Sequence, residues 1–140
     1  CVQRVGTRWD PAVRRACADR ACFRVGPLPA GWRLVHEEEG AVGFYSDRAG
    51  AVIEAKATCR DDAEATPLSS LTNQLLIGYT DRRVRFAARE PMAGREALHS
   101  VVDLRLDGVP MVLDLYVLKR DGCIFDLSCA APPASSAMKT

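Results

Sequence analysis

No apolar run in the 140-residue chain approaches the ~20 residues a membrane-spanning helix needs, and the longest, Met111 to Val117, is interrupted by Asp114. No helical span is expected. Aromatic residues make up only 6%, and histidine occurs twice, at His36 and His99. There is no Gly-x-Ser-x-Gly elbow and no glycine-rich phosphate loop, so most hydrolase chemistries lack their parts. Neither sign of charge dominates: 19 Lys and Arg stand against 18 Asp and Glu, which offers no sequence-independent grip on nucleic acid. The paired two-residue cysteine spacing of a zinc ribbon or a redox dithiol is also missing. These absences point to no metal, no cofactor and no catalytic residue.

What is present is the composition of one folded domain, with 48% hydrophobic and 26% charged residues. Six cysteines in so short a chain fit an oxidising compartment better than a reducing cytosol. Cys59 closes a strand before a helix and Cys123 opens the last strand after a tight turn, which makes this pair the expected bridge. The pairing of Cys17, Cys22 and Cys129 stays open.

Along the chain, 1–21 reads as a basic tether with Arg4, Arg8, Arg14, Arg15 and Arg20, and Asp10-Pro11 offers the start of a short helix. Residues 22–131 read as a single α+β domain and 132–140 as a flexible tail. Strands are expected at Cys22 to Val25, Trp32 to His36, Ala41 to Ser46 and Ala51 to Cys59, the four forming two hairpins. A helix is expected from Pro67 to Ile77, capped by Thr66, with Leu68, Leu71, Leu75 and Leu76 on one face. A meander follows: Arg83 to Arg89, Leu98 to Leu106, Pro110 to Lys119 and Cys123 to Cys129. Asp107-Gly108 is a two-residue type I′ signal that pairs Leu106 with Val109, Leu104 with Met111 and Val102 with Leu113. For the last hairpin a three-residue loop, Arg120-Asp121-Gly122, is expected, because a two-residue loop would set Val117 opposite Asp126 and mix apolar with charged residues.

Two resemblances add to this reading. The first residue is Cys1, and a mature terminus at cysteine resembles a bacterial lipoprotein, whose thiol carries a diacylglycerol; Val2 and Gln3 lack the aspartate of inner-membrane retention. This implies lipidation at Cys1, a membrane attachment through it, and a place in the cell envelope at the outer membrane facing the periplasm. If Cys1 is acylated, five thiols remain and one lacks a partner within the chain. Second, Phe23-Arg24-Val25, Leu28-Pro29-Ala30-Gly31-Trp32, the helix Pro67 to Ile77 and the meander ending in Asp121-Gly122-Cys123-Ile124-Phe125-Asp126 together resemble the Mog1/PsbP-like fold. That implies an antiparallel sheet of seven to eight strands with one main amphipathic helix packed on it, and no particular function. Such domains commonly end in a further helix across the sheet; here either the segment from Pro11 to Asp19 covers that face or the face is exposed.

Two surfaces stand out. Strand parity sets Arg83, Arg85, Arg89, His99, Asp103, Arg105, Asp114, Tyr116 and Asp126 on the sheet face away from the leucines, with His99, Tyr116 and Asp126 in one row. The outer helix face, Ser70, Asn73, Gln74 and Ile77, carries no charge and has the character of an interface centre. The expected function is a non-enzymatic envelope lipoprotein, an adaptor for another envelope protein; the alternative is a carrier of a small apolar ligand or lipid.

Overall fold

The computed structural model describes residues 15–18 and 21–133. Cys1 and the rest of the expected tether before residue 15, like 134–140 of the tail, lie outside the described residues.

Ten elements follow one another: β1 (Arg15–Ala18), β2 (Ala21–Arg24), β3 (Trp32–Glu38), β4 (Ala41–Ser46), β5 (Ala51–Cys59), α1 (Leu68–Leu75), β6 (Thr80–Met92), β7 (Arg95–Leu106), β8 (Val109–Arg120) and β9 (Cys123–Ala131). Seven strands form one antiparallel sheet in the order β3-β4-β5-β9-β8-β7-β6. The chain leaves the middle of the sheet after β5, crosses one face as α1, enters the far edge as β6 and meanders back until β9 pairs with β5. β1 and β2 form a separate antiparallel pair. Two expectations change here: Arg15–Ala18 is a strand rather than part of a helix, and the strand at 21–24 pairs with β1, while β3, β4 and β5 form a meander.

Side chains alternate across the sheet, so it has two separate cores. On one face Leu68, Leu71 and Leu76 from the helix region pack on Val102, Leu104, Leu113, Leu115, Val117 and Ile124. Burial of each such leucine contributes about 2 kcal/mol, and that packing holds an eight-residue helix which alone would not form in water. On the other face Ala21, Phe23 and Val25 cover Val42, Phe44, Ile53, Ala55, Phe125 and Leu127. The segment around β2 thus takes the place the expected further helix would have had.

The helix is shorter than its apolar pattern suggested. Pro67, in extended conformation, is the N-cap and no side chain caps the helix, because the Thr66 hydroxyl instead donates to the Asp62 carbonyl at 2.8 Å. The loop before it is tied down from β8 and from the β8–β9 turn. Lys119 Nζ donates to the carbonyls of Glu64 and Thr66 at 3.1 and 2.7 Å, and Gly122 N donates to Glu64 Oε2 at 2.9 Å.

The Asp107-Gly108 hairpin has the expected register, Leu104 facing Met111 and Val102 facing Leu113. The last hairpin does not. Its loop is two residues, Asp121 at φ 52° and Gly122 at φ 78°, and Arg120 pairs with Cys123. Aspartate tolerates the left-handed region, so both Asp-Gly turns adopt the same primed geometry that suits strand twist. In consequence Val117 does pair with Asp126, and Asp126 lies on the helix-covered face at 6% exposure. It is therefore not part of the His99 and Tyr116 row.

Candidate functional site

The face opposite α1 carries a polar cluster built on three strands. His99 on β7 pairs with Ala88 on β6 and Tyr116 on β8, and its hydrogen-bond partners are the diagonal neighbours on those same strands. Nδ1 lies 2.8 Å from Glu90 Oε2 and Nε2 lies 2.6 Å from Asp114 Oδ1. Ionised carboxylates only accept, so both contacts are satisfied when the ring carries two protons and donates from each nitrogen. The ring stacks on Tyr116 at 4.0 Å between centroids and meets Phe86 edge-on at 5.2 Å. Burial, together with the charges of Asp114 and Glu90, pushes the Tyr116 phenol above its ordinary value. Farther along, Arg85 grips Asp103 through Nε and Nη2, both at 2.9 Å.

Of the expected polar-face residues, the structure brings His99 and Tyr116 into contact, places Arg85 farther along the same face, and removes Asp126. Arg89 leaves it as well: register shifts between Thr80 and Arg83 and between Val84 and Phe86 change strand parity, and Arg89 pairs with Glu96 at 2.8 Å. Glu90 was missed because the strand that follows the helix was expected to end at Arg89, whereas β6 runs on to Met92. With both ring nitrogens occupied, the cluster clamps β6 to β8 across β7. His99→Ala is expected to cost about 2 kcal/mol, since it leaves two carboxylates facing each other without their shared donor; urea unfolding measures the loss.

Beside Tyr116 the same face opens into a cavity of about 180 Å³. Its floor is Tyr116 and Leu118 from β8 with Phe125 and Leu127 from β9. One wall is Cys22 and Phe23 of β2, Phe23 meeting Phe125 edge-on at 6.4 Å; the other is Met92 and Ala93 at the β6–β7 turn. Arg24, Arg95 and Arg120 also line it, and no carboxylate is among the described lining residues. Arg120 lies over the Phe125 ring, 5.7 Å from its centroid. Sequence reasoning missed this cavity because the wrong register of the last hairpin turned Phe125 and Leu127 toward the helix.

The described cysteines offer no thiol. Cys17 is bridged to Cys22 and Cys59 to Cys123, and Cys129 is disulfide-bonded too. Among the described residues no group of three His, Cys, Asp or Glu is arranged to hold a metal ion, and no helix is long and apolar enough to cross a membrane. On the helix Asn73 and Gln74 are exposed and Ser70 is half-buried, and Ile77, in the turn just past the C-cap, reaches 77%. Gln74 Oε1 accepts from Arg60 at 3.2 Å, so this surface is less neutral than the helix alone suggested.

No known family model matches the chain, and no curated protein matches it in sequence. Solved structures do match in shape. The solution structure of cyanobacterial PsbP from Synechocystis sp. PCC 6803 superposes with a TM-score of 0.55 at 12% identity, covering 94% of this chain and 81% of that one. The fold is PsbP-like. A protein of unknown function from Pseudomonas aeruginosa, PA94, matches with a TM-score of 0.57 at 14% identity over 79% of this chain and 78% of its own. A structure from Bacteroides thetaiotaomicron VPI-5482 matches with a TM-score of 0.56 at 14% identity over 81% of this chain, which spans only 40% of that longer one. At such identities the PsbP-like likeness carries the fold and leaves function to the site.

Proposed function

We propose that this PsbP-like chain is a non-enzymatic binding module of the bacterial cell envelope, and that it binds at the arginine-rimmed cavity on the face opposite α1. The observation that carries the reading is the cavity itself: about 180 Å³, lined mainly by apolar side chains and bordered by three guanidinium groups. A dry cavity of ~150 Å³ suffices to hold a benzene ring. The His99 cluster supports a structural role beside it, because both ring nitrogens are engaged by carboxylates. The disulfides favour an oxidising compartment.

A lipid anchor at Cys1, holding the domain to the outer membrane on its periplasmic side, belongs to the same reading, and cysteine parity constrains it. With Cys17–Cys22 and Cys59–Cys123 closed and Cys129 disulfide-bonded too, parity sets the lipid anchor against a third internal bridge. Intact mass of the natively made protein, before and after reduction, distinguishes an acyl adduct from a third internal bridge.

Calorimetric titration with toluene, a neutral apolar probe, tests the cavity. Saturable one-site binding is expected for the wild type and none for Met92→Trp, which fills the cavity from its half-buried wall. No binding by the folded wild type sinks the reading. The second reading is a protein contact through the outer helix face, favoured by Ile77, the most exposed large apolar side chain described. It gains if a partner retained from native membranes is lost with Ile77→Lys or Asn73→Arg and kept with Met92→Trp.

A further inference from the structure

The cavity's lining is divided in a way that names a ligand class. We propose that it takes a small monocarboxylic acid, one ring or a chain of about six carbons lying on Leu118, Phe125 and Leu127, with its carboxylate at the mouth among Arg24, Arg95 and Arg120. This rests on the cavity reading above and goes beyond it in fixing charge and size.

Size comes first. A volume of about 180 Å³ exceeds the ~150 Å³ that accommodates benzene by little more than one methylene group, so one ring or about six carbons fit inside it and a long acyl chain or a sterol would project beyond it. Charge comes second. Among the described residues the lining holds three cations and no anion, and the nearest described counter-charge to Arg95 and Arg120, Asp121, is shared at long range, 3.9 Å from Arg95 Nη2 and 3.9 Å from Arg120 Nε. Those separations exceed hydrogen-bond length, so the guanidinium N–H groups keep donors for a carboxylate at ordinary distance. Arg24 is exposed and makes no ion pair among the described residues. The Tyr116 phenol, pushed up by burial and by Asp114 and Glu90, remains protonated and supplies a neutral donor in the floor. Those two carboxylates are held on His99, on the far side of the tyrosine ring.

The test is a calorimetric series of straight-chain acids from four to ten carbons, each against the alcohol of equal length. Affinity is expected to rise about fourfold per methylene up to six or seven carbons and then stop rising. The acids are expected to bind about tenfold tighter than the alcohols, and Arg24→Gln with Arg120→Gln to reduce the acids to the affinity of the alcohols. Alcohols and acids that bind alike overturn the proposal while leaving the cavity reading intact. An affinity that climbs through ten carbons overturns it in favour of a lipid. Tighter binding of N-acetylphenylalanine than of phenylpropionate overturns the free-acid assignment in favour of a peptide terminus. If toluene fails as well, the cavity reading itself has failed.

Discussion

Replacing Asp126 with asparagine is expected to stabilise the folded protein at pH 8 and to leave it nearly unchanged near pH 4. Asp126 lies under the helix side of the sheet, paired with Val117 on one side and Lys56 on the other. Burial pushes its carboxyl up to about 7; Lys56 opposes the shift and Glu54 adds to it. The folded state therefore holds the proton more tightly than the unfolded chain, whose aspartates titrate near 3.9. The stability this group contributes is fully present below the unfolded value and is lost as pH rises through about 7. A rise of about three pH units corresponds to on the order of 4 kcal/mol between the two ends of that window. Asparagine removes the charge but keeps a polar group to bury, so a gain of about 2–4 kcal/mol is expected at pH 8. Urea midpoints of both proteins from pH 4 to 8 measure it, and a difference that does not vary with pH refutes the account of Asp126.

Removing the Cys59–Cys123 bridge by alanine at both positions is expected to cost about 4 kcal/mol. The two cysteines are directly opposed on β5 and β9 and 64 residues apart, so the bridge closes a loop containing α1 and the whole of β6 to β8. In the chain-entropy expression a loop of that length contributes about 4 kcal/mol by restricting the unfolded ensemble. Cys17–Cys22, separated by only five residues, gives about 2 kcal/mol in the same expression. Against the ~5–15 kcal/mol of a typical domain, the long bridge decides whether the fold survives reduction. Denaturant unfolding of the two double variants in non-reducing buffer checks the order; equal losses would show that loop length is not what matters.

Where chemistry is local, the chain could be read directly. Asp107-Gly108 needs only two residues to specify its turn, and the leucine spacing of 68–76 needs only one helix face. The misreadings came from places where a local rule met a tertiary exception. A buried aspartate is costly, so the sequence argued for a loop that keeps Asp126 away from Val117, yet the Asp-Gly turn prevailed and the aspartate went inside. A slip of one residue turns every side chain of a strand over. Phe125 and Leu127 were thereby assigned to the helix face, and the cavity they floor was hidden. The irregularities in β6 did the same to Arg89, and no residue type there announces them. Arg24, Arg95 and Arg120 come from three separate elements and meet only once the β2 strand is laid over the sheet.

The central claim, a binding site on the face away from α1, is tested most directly by methyl-resolved NMR during a toluene titration. The account predicts saturable shifts at Met92, Leu118 and Leu127 with Leu68, Leu71 and Ile77 unmoved. Shifts centred on Ile77, or none at the cavity methyls of a folded sample, would contradict it.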